Sequence, residues 1–405
     1  MVSVDFRTRS DNDEVGAVDA AAFFGDELPK LIADRGDLAV PGTAELSPRP
    51  LAIQVGDASW TLSFADNSLS VATGDDEAVA VVVLDDEGLT DLVHDIRTPM
   101  GFFTGGDLTM PRGRLEDFLD WGVILRSLID ARAVHTPGDI TFDDLDLNRA
   151  FQPDDTAADK ADFLGQAGFL HLANVFTEDE MAAVSADIDA ATPAYSPDDG
   201  RSWWAKTKDG EHRAVRLQYF QEHSPTTRDL LDDERFLGIG RLTSDDHAIG
   251  EAHLGWNVIE ALVKPLGVVE GISDLPWHKD CSLGRHSYRC CSLTVGISVT
   301  GADANSGQLR VVAGSHRALI QPAFVRRNLD LPQVDLPTST GDVTVHLSCT
   351  MHMSQAPVDQ ERRVMYTGFR LPEDTSRSDT ASANEAKLRR IREGAYKTVS
   401  QAPAR

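Results

Sequence analysis

The stretch "GDVTVHLSCTMHMSQAPVDQERRVMYTGFR", residues 341–370, contains two strand-like runs, DVTVHLS and RVMYTGFR, parted by a turn rich in proline and aspartate. Similar runs, RCCSLTVGISV and GQLRVVAGS, precede it from about residue 253, each bounded by Gly, Asp or Pro. Many short strands following helices predict an antiparallel sandwich or barrel of jelly-roll type, flanked by those helices.

The same stretch carries chemistry. It offers two histidines, His346 and His352, and then the paired arginines Arg362 and Arg363. Upstream, "LPWHKDCS", residues 275–282, sets His278 and Asp280 two positions apart. Alternate side chains of an extended strand share a face, so this spacing brings an imidazole and a carboxylate together. Alone the triplet is weak, because about one is expected by chance in a chain this long. Joined to a distal histidine it gains meaning: two nitrogens and one carboxylate on one face of a metal leave the opposite positions open, as in non-haem Fe(II) oxygenases. An arginine soon after that histidine then has a use. Its planar, always-charged fork can pair with the far carboxylate of a dicarboxylic acid whose keto-acid end chelates iron, which describes 2-oxoglutarate.

At this point the sequence is similar to the phytanoyl-CoA dioxygenase family of Fe(II)- and 2-oxoglutarate-dependent oxygenases. The matching pieces stand in family order: "FLGQAGFLHLANVFTEDEMAAV", "WHKD", "GQLRVVAGSHR", "GDVTVHLSCTMHMS" and "RRVMYTGFR", spanning about residues 160–372. The resemblance implies a double-stranded β-helix (jelly-roll, cupin-like) core. It implies His278, Asp280 and His352 as iron ligands, with His352 preferred to His346, and Ser354 as a hydrogen-bonding partner of the cosubstrate. Counting from His352 favours Arg363 as the 2-oxoglutarate arginine, whereas aligning RRVMY with the closing strand favours Arg362. Neighbours on a strand point to opposite faces, so only one of the two faces inward, and Arg362 is preferred. The resemblance also implies dioxygen as the second cosubstrate. Asp280 argues against halogenation, which in related enzymes replaces that carboxylate by a small residue. The implied substrate is a fatty acyl-CoA or another small lipid. The alternatives are a secondary-metabolite hydroxylase and a non-catalytic lipid-binding protein on the same scaffold.

Ahead of this region, residues 15–135 read as a separate α+β unit. A helical start leads to the runs LAIQV, WTLSF, SLSVAT and AVAVVVL, expected to pair antiparallel, and then to helices. Leu115, Phe118, Leu119, Ile124, Leu125, Leu128 and Ile129 form the stripe of a core-packed helix. The element order and the segment "RGRLEDFLDWGVILRSL" resemble the sterol-carrier-protein-like lipid-binding fold. Residues 136–159, rich in Asp and Pro, read as a linker, 160–375 as the oxygenase domain, and 376–405 as a tail with a short charged helix. Thr177 and Glu180 form a capping box opening a helix.

The formal net charge of −27 over 405 residues argues against nucleic acid and against an anionic membrane surface. No apolar run reaches membrane-spanning length, and four cysteines without a CxxC pattern fit thiols in a reducing cytoplasm. Cys281 and Cys349 are expected to be small buried hydrophobes, Trp277 to pack on the barrel wall, and His346 and His316 to be structural with His346 near the site. Lys264 either reaches the cosubstrate or substrate or lies at the surface, and the surface is preferred. Arg285, His286 and Arg289 are solvated loop residues or contacts for an anionic substrate. Sequence gives no oligomeric state.

Overall fold

The computed structural model describes residues 16–243, 248–249, 258–271, 274–284 and 292–370. The expected C-terminal helix lies outside these residues, as do Arg285, His286 and Arg289.

In the N-terminal unit, α1 (Ala20–Ala22) passes through a π-helical turn, Phe23–Glu27, into α2 (Leu28–Leu46). Four strands follow, β1 (Leu51–Val55), β2 (Ala58–Ala65), β3 (Ser68–Thr73) and β4 (Ala80–Leu84). Then come α3 (Asp86–Val93), α4 (Pro99–Gly105), β5 (Thr109–Arg112) and α5 (Leu115–Asp130). The sheet order is β3-β2-β1-β4-β5, and β4 lies parallel to β1. This corrects the all-antiparallel expectation: the chain leaves β3 at the sheet edge and crosses over to the far side of β1, which fixes the direction of β4. Helix α5 closes the core with Phe118, Trp121, Ile124, Leu125 and Leu128, all buried.

The second unit opens with β6 (Ala150–Phe151), α6 (Ala157–Ala167), β7 (Phe169–Leu172), α7 (Glu178–Ala191), β8 (Ser202–Thr207), β9 (His212–Leu217), α8 (Pro225–Leu231), α9 (Glu234–Gly240) and β10 (Ala248–Ile249). It continues through β11 (Ile259–Lys264), β12 (Val268–Glu270), β13 (Leu275–His278), β14 (Leu293–Ser298), β15 (Leu309–Val312), β16 (Gln333–Leu336), β17 (Val343–Leu347), β18 (His352–Ser354) and β19 (Arg362–Arg370). The larger sheet runs β12-β8-β9-β11-β19-β14-β17-β7-β6, and the smaller runs β13-β18-β15-β16. From β13 onward the chain changes sheet at almost every strand, staying put only across the β15–β16 hairpin, and this alternation makes the jelly roll. The stretch 136–159 does more than connect, because Phe151 is buried in the main core and β6 pairs parallel with β7.

Both faces of the larger sheet are covered. On β17, Val343 and Val345 join the core beneath the helices while Thr344 and His346 fall on the opposite face, and all four are buried. Helix α7 packs Met181, Val184 and Ile188 against that core. It starts at the expected capping box, with Thr177 N–H donating to Glu180 Oε2 at 2.7 Å and Glu180 N–H to Thr177 Oγ1 at 3.2 Å.

Candidate metal and cosubstrate site

His278 ends β13 and pairs across the smaller sheet with His352, the first residue of β18. Their ring centroids lie 4.2 Å apart. Asp280, two residues on, places Oδ1 at 3.6 Å from His278 Nε2 and 3.5 Å from His352 Nε2. Donor atoms of these three residues all fall within 4.8 Å of one another. The remaining ring nitrogens are committed elsewhere: His278 Nδ1 to Pro276 O at 2.7 Å and His352 Nδ1 to Thr350 O at 3.0 Å. Because a carbonyl can only accept, each Nδ1 carries a proton, which leaves Nε2, on the Asp280 side, as the ring atom able to bind a metal once it is unprotonated.

The second carboxylate oxygen is held from behind. Thr294, on β14, donates its hydroxyl to Asp280 Oδ2 at 2.7 Å. His346 sits opposite Thr294 across the β14–β17 pair, with Nε2 3.5 Å from the same oxygen and, among the described residues, no hydrogen-bond partner at either ring nitrogen. Burial works to raise the Asp280 carboxyl, but the His352, His278 and His346 imidazoles outweigh it and hold the group well below its ordinary range. Burial, reinforced by the neighbouring histidines, pushes His352 well below the usual imidazole value. Burial works to lower His278, but the Asp280 carboxylate outweighs it and raises that imidazole, whose Nε2 proton a bound cation would displace. The ionised carboxylate and the neutral His352 are in the states a ferrous ion requires, so the donor set fits that metal.

Beyond the cluster, β11 and β19 pair Lys264 with Arg362. The two cations are 3% and 1% exposed, so Lys264 is interior where sequence placed it at the surface. The cause is its register: 260, 262 and 264 share one face of β11 with Arg362, while Ile259, Ala261 and Val263 face the helices. Lys264 Nζ donates to Ser354 Oγ at 2.6 Å and to Gln355 O. Arg362 Nη1 donates to Gly307 O at 2.8 Å, and its Nε has no partner among the described residues. Burial, and then the charge of Arg362, lower Lys264 to about 7. Among the described residues neither cation forms a salt bridge, and two buried positive charges side by side call for an anion. Arg363 points the other way, its guanidinium 2.8 Å from Asp189 Oδ1 and donating to Ser185 Oγ at 3.0 Å on α7.

Sequence reading missed Thr294 and the buried state of Lys264. Threonine is ordinary in a strand, and only pairing shows which face a residue occupies. Trp277 packs partly buried beside Met351 and Val312, and Cys281 and Cys349 are buried as expected.

Residues 164–364 match the family model described as phytanoyl-CoA dioxygenase (PhyH). Comparison with curated proteins gives no match. Among solved structures, AviO1 from Streptomyces viridochromogenes Tue57 is 21% identical, with a TM-score of 0.43 over 54% of this chain and 96% of that one. The epimerase SnoN, in complex with Fe3+, alpha ketoglutarate and nogalamycin RO, is 18% identical, with a TM-score of 0.42 over 53% and 83%. EctD from S. alaskensis, with 2-oxoglutarate and 5-hydroxyectoine, is 18% identical, with a TM-score of 0.43 over 56% and 81%.

Proposed function

Because the chain belongs, through residues 164–364, to the phytanoyl-CoA dioxygenase family of non-haem iron and 2-oxoglutarate-dependent oxygenases, we propose that His278, Asp280 and His352 are its iron ligands. Arg362, with Lys264 and Ser354 beside it, receives the far carboxylate of 2-oxoglutarate. The reaction is hydroxylation of an unactivated C–H bond in a small molecule. The observation that carries this reading is the convergence of Asp280 Oδ1 on two Nε2 atoms, at 3.6 and 3.5 Å, with both Nδ1 protons spent on backbone carbonyls. Iron, when bound with 2-oxoglutarate and dioxygen, supplies the oxidising power. The chain's own residues orient the donors: Thr294 turns Asp280, Gly307 steers Arg362, and Lys264 holds Ser354.

Two hydrophobic cores, one per unit, support treating 15–135 and 160–375 as separate domains. The family's name supports a lipid-like or acyl-CoA-like substrate, and the element order of the N-terminal unit supports the sterol-carrier-like reading. A second reading, a polar secondary metabolite, is favoured by one observation. Arg216 and Glu260 form an ion pair, with the Arg216 guanidinium 4.4 Å over the Trp203 ring, on the face of the sheet that bears Lys264 and Arg362. An acyl chain would want apolar neighbours there.

The test is anaerobic titration with Fe(II) and then 2-oxoglutarate, followed by admission of air. Binding gives a visible charge-transfer absorption, and turnover gives succinate. Absence of both leaves only a binding protein. Stimulation of succinate release by acyl-CoA thioesters, against polar hydroxylated compounds, separates the two substrate classes.

A further inference from the structure

Directly behind the proposed iron ligands lies a pair of thiols. Cys281 follows Asp280 in sequence, and Cys349 stands in the turn that leads from β17 to His352. Their Sγ atoms are 3.4 Å apart and the residues are 2% and 5% exposed. The backbone already ties the two segments, with Cys281 N–H donating to Ser348 O at 3.3 Å. Both residues line a small cleft on the seam between the N-terminal unit and the jelly roll. Leu92, Pro99, Leu119 and Val123 line the same cleft, which is partly open to solvent, the side from which a small hydroperoxide would approach the sulfurs.

We propose that Cys281 and Cys349 form an oxidisable dithiol, a modification site for a small hydroperoxide, whose disulfide changes the geometry of the metal site. The chemistry balances. The Cys349 sulfur attacks one peroxide oxygen: an S–O bond forms, the O–O bond breaks, and the thiol proton leaves with the departing oxygen as water. The Cys281 sulfur then attacks that sulfur. An S–S bond forms, the S–O bond breaks, and the second thiol proton leaves with the hydroxyl as water. Two thiols lose two electrons and one peroxide becomes two waters. A disulfide needs its sulfurs about 2.05 Å apart, so closure draws the Asp280 segment and the His352 turn toward each other by more than an ångström. The ligand triangle, with edges of 3.5 and 3.6 Å, is built on those two segments. The coupling to iron rests on the ligand reading above, whereas formation of the cross-link does not.

The full chain, stripped of metal to avoid iron–peroxide side reactions, is treated with hydrogen peroxide, blocked with N-ethylmaleimide and digested with trypsin. Cleavage after Lys279 and Arg285 separates Cys281 from Cys290 and Cys291. The expected product is the Cys281 peptide joined to the Cys349 peptide, lighter by two hydrogens and released by dithiothreitol. Recovery of both as maleimide adducts or sulfinic acids, or cross-linking chiefly through Cys290 or Cys291, overturns the proposal. Iron is then offered to oxidised and re-reduced protein. Loading at least threefold lower in the oxidised form, restored by dithiothreitol and absent in Cys349→Ala, is expected. Equal loading of cross-linked and reduced protein overturns the coupling.

Discussion

Asp280 shows how one side chain is given two duties by its neighbours. Oδ1 faces the Nε2 atoms of two imidazoles while Oδ2 accepts from Thr294 at 2.7 Å. Thr294→Val keeps the shape and removes the donor. Iron affinity should fall roughly 10- to 100-fold, read by competition with a chelator, with the fold unchanged by circular dichroism. His352→Ala should abolish iron retention, and if His346→Ala abolishes it instead, the distal ligand has been misassigned. Lys264 brings a pH dependence. Its free-state value is about 7, and a bound dicarboxylate favours the charged amine and raises it further. Between those two values each 2-oxoglutarate bound takes up a proton, so affinity should weaken by up to about tenfold per pH unit above 7 and level off below it. Lys264→Met should bind more weakly and lose this slope, as isothermal titration across pH 6 to 9 would reveal. The convergence of His278 with Asp280 was legible at this scale because the two are close in sequence. Lys264 was not, because nothing in "VIEALVK" says which face of the strand is the interior.

Single elements add a second layer of constraint. On β19 the alternation of a strand sends Arg362 toward Gly307 and Arg363 toward α7, which turns an ambiguous dipeptide into two different roles. Arg362→Ala should abolish 2-oxoglutarate binding. Arg363→Ala should keep it and cost about 1 kcal/mol or less, since Asp189 is 67% exposed and solvent screens the pair. Gly307, at φ 80°, turns the chain into β15 and has no room for a side chain, a Cβ there meeting Gln355 O at 2.4 Å. Gly307→Ala should destabilise by roughly 1–3 kcal/mol and weaken 2-oxoglutarate binding as well, because the carbonyl that steers Arg362 must shift. Equilibrium unfolding paired with cosubstrate titration checks both variants.

Across the whole molecule the N-terminal unit docks beside the segment that follows β13. Thr98 donates to Ser282 O, His135 N–H to Leu319 O at 3.2 Å, and Asp120, 6% exposed, accepts from Gln321 and from Arg326. Asp120→Ala leaves Arg326, a third exposed and still bonded to Leu46 O, without its carboxylate and should cost about 1–3 kcal/mol, seen as a lower urea midpoint. Among the described residues no helix is long and apolar enough to cross a membrane. The strands, the helix stripe of α5 and the capping box of α7 were all readable from local pattern, since alternation, periodicity and end-capping act over a few residues. Sequence alone also fixed the residue types able to hold ferrous iron and their order along the chain. Only the tertiary structure decided that β4 runs parallel to β1, that Arg362 and Lys264 share the interior, and that Cys281 meets Cys349. These depend on pairing between segments far apart in the chain, where direction, register and face are set by what packs against what.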